Sequence, residues 1–389
     1  MNTRNKILLA FLLSFLGTTS VASGQINEDL FIYGYFQGTS RYSHLESNPL
    51  PEVNRAWNFS VQQLNLFMFK QIDANFSGFV NLEITNSLST EDGWGSIALD
   101  EAWMKYDRTG TFKIKAGLLI PTFNNLNAIK DKTPLLPYLL RPFAYETFAQ
   151  EFFSTDELVP RQAAIEIYGS INLGRQTKFD YAAYIGNNIA FITSEAVSTI
   201  PSGADTTTTK LIGTRIGLRH GAIKFGISVT KDNADISQIP IFLATDISEI
   251  DKVPRNRIGV DFSLTYSRLF FESEFIHVNY LLSEMDKETI ARYQVINPLL
   301  SDELDKIFAY ITLGYYFGEK WFSYGMYSYY QDKSNVITDN GFGMYSIGAG
   351  FRPNDYLVFK IQSVYASTYK NDFFFGREKD LMIGLSVFL

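Results

Sequence analysis

The sequence contains no cysteine and only three histidines among 389 residues. The first absence excludes disulfides, thiolate metal sites, a cysteine nucleophile and a lipidated N-terminal cysteine. The second leaves little material for imidazole-based metal or acid–base chemistry. Positive charge is also scarce: 34 Lys+Arg stand against 41 Asp+Glu, a net of −7. No nucleic-acid partner is expected, because phosphate neutralisation needs a basic surface. Long apolar runs are missing after the first few residues, which excludes a bundle of membrane helices. Aromatics, by contrast, reach 15%, with 33 Phe and 23 Tyr beside 27 Gly and 12 Pro. That composition favours strands joined by tight turns.

The start of the chain has the order of an export signal. Arg4 and Lys6 precede an apolar run, Ile7–Leu16, followed by small and polar residues to Gly24. Residues 1–24 are therefore expected to be a signal peptide cleaved before Gln25. The apolar run is too short to span a bilayer as a helix. Removing the segment takes away two positive charges and moves the net from −7 to −9.

From Leu30 onward the hydrophobic period is two. Phe112, Ile114, Ala116, Leu118 and Ile120 share one face, with Lys113, Lys115 and Gly117 on the other. Ile223–Val229 and Ile258–Tyr266 repeat the pattern. Sixteen such runs follow: 30–42, 57–70, 74–86, 96–106, 111–120, 161–172, 176–187, 210–220, 222–231, 255–266, 268–281, 306–317, 320–331, 342–352, 356–370 and 379–389. Most exceed the five or six residues usual in soluble proteins and match the ~9–11 that a tilted strand needs to cross hydrocarbon. Short connections follow the even-numbered runs and long ones the odd-numbered runs. The expected fold is all-β: one 16-stranded antiparallel transmembrane barrel over residues 25–389, with both termini at the short-turn end. Strands 2 and 11 break alternation, at Gln62-Gln63 and at Glu272 and Glu274, implying a bulge or a different register in each. The chain stops on an alternating strand, Leu381–Leu389, similar to the terminal assembly signal of outer-membrane barrels.

A barrel of this size is expected to enclose an aqueous channel rather than a packed core. Residues 121–160, rich in Leu, Phe and Tyr, form a connection too long and too apolar for an ordinary surface loop. They are expected to fold into the pore as a constriction loop; a surface cap is the other reading. The charges in this segment include Lys130, Lys132 and Arg141 against Glu146 and Glu151, and its net is −2. Inward-facing cations are expected at Lys113 and Lys115, at Arg215, Arg219 and Lys224, and at Arg255 and Arg257. Arg and Lys lining a pore favour anions, although Glu83, Glu166, Asp180 and Asp261 also point inward and ordinary salt bridges are an equal reading.

The stretch Leu99-Asp-Glu-Ala-Trp-Met-Lys-Tyr106, followed by Phe112-Lys-Ile-Lys-Ala-Gly-Leu-Leu-Ile-Pro121, resembles the phosphate-selective porins of the O and P type. The resemblance implies a trimeric 16-stranded barrel in the outer membrane of a Gram-negative bacterium, with a constriction loop after strand 5. Lys113 and Lys115 match that family's basic strand, while its arginine ladder has no match here. The expected partners are membrane lipid, small hydrophilic solutes or anions, and two further copies of the chain.

No catalytic residue, cofactor or metal site is expected. His-Glu-x-x-His, Gly-x-Ser-x-Gly and phosphate-loop patterns are missing. Glu91-Asp92 and Asp100-Glu101 read better as solvated acids than as a cation site. The expected function is passive diffusion of small solutes, leaning toward anions. A solute-specific channel for phosphate, sugar or organic acid is a second reading. A non-conducting barrel acting as adhesin, scaffold or enzyme is a third.

Overall fold

The computed structural model describes residues 29–48, 53–85, 96–130, 132–146, 148–149, 153–154, 159, 161–188, 209–235, 252–297, 300–334, 339–369 and 375–389. The expected signal peptide and Glu151 lie outside the described residues. Sixteen long strands form one closed barrel: β1 (Leu30–Asn48), β2 (Val53–Gln71), β3 (Phe76–Thr85), β4 (Ser96–Asp107), β5 (Lys113–Leu119), β6 (Gln162–Asn172), β7 (Thr177–Asn187), β8 (Lys210–His220), β9 (Ile223–Asp235), β10 (Lys252–Tyr266), β11 (Leu269–Tyr280), β12 (Lys306–Phe317), β13 (Trp321–Asp332), β14 (Phe342–Asn354), β15 (Leu357–Thr368) and β16 (Phe375–Phe388). Each pairs antiparallel with its neighbour in sequence, and β16 pairs with β1 to complete the ring.

The two-residue period explains this arrangement. Odd residues of β12 and β14, such as Ile311, Leu313 and Ile347, are exposed on the outside, while even ones face the lumen. Closure satisfies every ladder and leaves no open edge to hydrocarbon. At the short-turn end the chain reverses within two to five residues. Gly221 and Gly318 supply positive φ there, at 56° and 76°, which costs little without a Cβ.

The two breaks in alternation have different causes. In β2, Gln37 lies opposite Gln63 and Gly38 opposite Val61, so Gln62 is the bulged residue. Both glutamines consequently reach inward-facing partners, Gln62 bonding to Gln37 and Gln63 to Glu83. A second bulge, at Asp100 of β4, brings Asp100 and Glu101 inside together. Strand β11 has no bulge: its ladders to β10 and β12 are continuous. Glu272 and Glu274 face inward in phase with Ile276 and Val278 because the lumen there is packed and apolar.

The expectation of a wholly aqueous lumen therefore fails on the β11–β15 side, which is packed. Inward residues of β11–β15, among them Ile276, Phe308, Tyr330, Phe342 and Met344, join a single buried apolar cluster. Helix α1 (Glu284–Gln294), between β11 and β12, adds Ile290 to that cluster. Its N-terminus carries a capping box in which Ser283 accepts from the Asp286 amide and Asp286 accepts from the Ser283 amide.

Candidate functional site

The candidate site is the lumen where residues 120–146 cross it. This segment leaves β5, forms three short 3₁₀ turns (Asn127–Ile129, Thr133–Leu135 and Phe143–Tyr145), and hydrogen-bonds to inward-facing side chains on opposite walls. Thr122 N–H donates to Glu166 of β6 at 2.7 Å, and Asn124 N–H to Ser228 of β9 at 2.9 Å. Thr133 donates through its hydroxyl to Gln63 of β2 at 2.6 Å, and Phe143 N–H to Ser328 of β13 at 3.0 Å. A segment bonded to β2, β6, β9 and β13 lies across the ring.

Two buried side chains of opposite charge hold it, Glu274 at both ends and Lys360 in the middle. Glu274 of β11 accepts from the Asn125 and Leu126 amides at 3.1 and 2.9 Å, from the Asn124 side chain, and from the Tyr145 hydroxyl. Lys360 of β15 donates to the carbonyls of Thr133, Pro134 and Leu136 at 3.0, 3.1 and 2.6 Å, and to Gln37. The carboxylate thus gathers amide donors and the ammonium gathers carbonyl acceptors, each charge being compensated by backbone dipoles. Gln362 extends the second anchor, accepting from the Leu139 and Leu140 amides.

Apolar contacts fix the segment to the β11–β15 side. Tyr138 meets Tyr324 edge-on at 5.1 Å, Phe143 lies 4.9 Å from Phe342, and Tyr145 lies 6.4 Å from Tyr310. Two wall glycines act as sockets. A Cβ at Gly259 would lie 2.3 Å from the Asn124 side-chain oxygen, and one at Gly384 would lie 2.4 Å from a Leu139 methyl.

The other side of the lumen is charged and reached by water. In the ion pairs of Arg41, Arg161, Lys115 and Arg215 the cation is the more exposed partner. Relative side-chain exposures are 32% for Arg41 against 4% and 0% for Glu378 and Asp380, and 31% for Arg161 against 1% for Asp100. They are 15% for Lys115 against 1% for Glu166, and 12% for Arg215 against 0% for Asp261. In these four the carboxylate lies against the wall and the cationic head faces solvent, while Lys113 and Asp107 are about equally exposed.

The residues selected from the sequence divide between these environments. Lys113 pairs with Asp107 at 2.9 Å, and Lys115 with Glu166 at 3.0 Å, under the rings of Trp103 and Tyr168. Arg215 bonds to Asp261 and Asn125, and Arg219 to Asp180 and Ser170. Lys224 is exposed and, among the described residues, makes no contact ion pair; it lines a recess with Glu272 and Asn125. Arg255 and Arg257 face inward but are buried, sharing Asp232, with the Tyr280 ring over Arg255. Within the crossing segment, Lys130 caps the Val159 carbonyl, Lys132 pairs with Glu101, and Arg141 joins Glu146 to the Lys130 carbonyl. Asp100 and Glu101, expected to be solvated, are instead buried by the bulge and pair with Arg161 and Lys132, while Glu91 and Asp92 lie outside the described residues; among the described residues no cluster of three metal-ligating side chains occurs.

Arg41, Arg161, Glu274, Lys360 and Gln362 were missed. Arg161 lies just before β6, where alternation gives no phase. Lys360 and Gln362 lie in a strand that is apolar around them, and a lone lysine on the inner face of Val358–Val364 was the available signal.

A closed barrel of sixteen antiparallel strands with an apolar outer surface defines the architecture of the outer-membrane porins. No family model matches the sequence, and no curated protein sequence matches it. Solved structures do match across nearly the whole chain. The outer-membrane channel DcaP of Acinetobacter baumannii is 12% identical over 93% of this chain and 97% of its own, with a TM-score of 0.57. An anion-selective porin from Comamonas acidovorans is 10% identical over 92% and 99%, with a TM-score of 0.59. OmpF of Salmonella typhi, solved with daunomycin, is 12% identical over 92% and 97%, with a TM-score of 0.56. At these identities the shared property is the fold.

Proposed function

We propose that the protein is an outer-membrane porin of a Gram-negative bacterium, exported by residues 1–24, through which small hydrophilic solutes diffuse with a preference for anions. The observation that carries the preference is the polarity of the lumen ion pairs: water meets Arg41, Arg161, Lys115 and Arg215 before it meets their carboxylates. A solute in the lumen therefore encounters guanidinium and ammonium donors first, which favours carboxylate, phosphate or halide. Residues 120–146 act as the constriction, occupying the β11–β15 side and leaving the path along the charged wall. Lys113, Lys115, Arg215, Arg219 and Lys224 line the path below the constriction. Arg255 and Arg257 support the wall. Assembly as a homotrimer belongs to this reading through the resemblance seen in the sequence.

The test is single-channel conductance of the refolded protein in a planar bilayer under a salt gradient. Stepwise current with a reversal potential on the anion side is the expected result, and steps grouped in threes support the trimer. A folded, heat-modifiable barrel that carries no current would falsify the channel reading. A reversal potential on the cation side would refute the preference alone.

A further inference from the structure

We propose, building on the channel reading, that the recess at the short-turn end of the lumen is a binding subsite for amphipathic monocarboxylates: an apolar or aromatic body bearing one anionic head. The recess, of about 100 Å³, lies between the crossing segment and strands β12–β15. Its apolar surface comes from Leu135 and Leu136 of the segment and from Tyr316 and Phe322 of the wall. Leu135 is 54% exposed although Thr133, Pro134 and Leu136 beside it are buried, so an apolar side chain is held out to the recess with nothing covering it.

The head-group partners are cationic. Arg352 ends the inward face of β14, in phase with Gly348 and Gly350, and Lys320 sits in the turn before β13. Among the described residues, the side chains of both are without a hydrogen bond or ion pair, and both line the recess. Lys360 also borders it, but its ammonium is already surrounded by four oxygens. One carboxylate, Glu319, lies at the rim and would repel a second negative charge, which selects a monoanion over a dianion. A sugar fits less well. The rings of Tyr316 and Phe322 lie 6.2 Å apart at 57° to one another and offer no common flat face. A small inorganic anion would find Arg352 but would leave Leu135 uncovered.

The test compares ¹⁹F line widths of 4-fluorobenzoate and trifluoroacetate titrated against the refolded full-length barrel in detergent, relative to protein-free micelles. The expected result is broadening of 4-fluorobenzoate alone. Arg352→Gln should weaken it about tenfold, the size of a lost charge-assisted contact. Leu135→Ser and Lys320→Gln should each weaken it severalfold, with folding of every variant checked by heat-modifiable migration. Equal broadening of the two probes, or broadening unchanged in Arg352→Gln and Leu135→Ser, overturns the proposal. Planar-bilayer current from the same preparation separates the two levels. Selective broadening without current retains the subsite and removes the channel, and current without selective broadening does the reverse.

Discussion

The two sides of this barrel solve different problems with the same strand geometry. On β11–β15 many inward side chains are Ile, Val, Met, Phe and Tyr, packed against residues 120–146 and α1 as in a soluble core, with Glu274, Thr312, Ser328, Lys360 and Gln362 buried among them. On β1–β8 they include glutamines, asparagines and ion pairs beside a few buried apolar groups such as Tyr35, Phe67 and Leu211, and several cationic heads remain in water. A charge enclosed within the first side must be fully bonded, as Glu274 and Lys360 are, whereas Arg352 at the open end of β14 stays in water. A charge on the second keeps its field in solvent. Position in the ring, more than residue type, decides whether a charged group holds the structure or acts on solute.

The largest test of that division removes the buried carboxylate. Glu274→Leu orphans the Asn125 and Leu126 amides, the Asn124 amide group and the Tyr145 hydroxyl, each at about 1–3 kcal/mol. The crossing segment should detach while the ring persists. The expected readouts are a lowered thermal transition and new protease cleavage within 120–146. Glu274→Gln, which keeps one carbonyl acceptor, should show a smaller loss. A Glu274→Leu barrel with unaltered melting and cleavage would show that the apolar contacts suffice.

Next come the sockets. Gly259→Ala forces a methyl into the Asn124 side chain and the Phe123 ring, and should cost about 1–3 kcal/mol in denaturant unfolding. Gly384→Ala meets only the tip of Leu139, which can turn aside, so its cost should be under about 1 kcal/mol. The reverse order would mean that the segment is anchored more tightly at Leu139 than at Asn124.

A paired comparison of charges tests the contrast directly. Arg257→Met removes a buried partner of Asp232 and should destabilise the barrel by about 1–3 kcal/mol without moving the reversal potential. Arg161→Gln should change stability by no more than about 1 kcal/mol, because its head is partly solvated. It should nevertheless shift the reversal potential toward cations. Equal shifts from both substitutions would abolish the distinction between enclosed and water-facing charges.

The smallest effect lies outside the barrel. Glu303 and Lys333, at 2.7 Å, tie the segment after α1 to the end of β13. The lysine holds the Glu303 carboxyl below its ordinary range, and the carboxylate raises the Lys333 ammonium above its own. A lowered acid stabilises above its unfolded pKa, and a raised base below its unfolded pKa. The tie should therefore hold through neutral pH and loosen as pH falls through the Glu303 carboxyl or rises through the Lys333 ammonium. NMR titration of the Glu303 side chain should give a midpoint below the ~4.3 of a free glutamate; a midpoint at or above it would mean that the pair is absent in solution.

The ring itself was legible because lipid imposes strict alternation on the outer face, and the inner face differs from it in either environment. Even the β2 bulge showed as two successive glutamines. Strand ends were less visible. β1 continues to Asn48 and β10 starts at Lys252, beyond the apolar rows that mark the runs. β11 was misleading because Ile276 and Val278 face a packed interior, so apolarity there does not report lipid. Helix α1 escaped notice although Ser283 and Asp286 stand three apart, in the spacing of a capping box. At the site, attention to cations found Arg215 and Arg219 but not Gln63, Gln362 or Glu274, whose importance depends on a segment that sequence alone does not position against them.

Closure of the ring also sets an order of events. β1 bonds to β16 along fourteen residue pairs, and Gly34 exchanges backbone hydrogen bonds with Leu389. Until the C-terminal strand is in place, β1 and whichever strand was added last are both open edges, unable to rest in hydrocarbon and ready to pair with any exposed strand. Partial barrels of this chain therefore need an edge-covering host during assembly. The slow step of folding should be the meeting of two segments more than three hundred residues apart, with the local hairpins forming first.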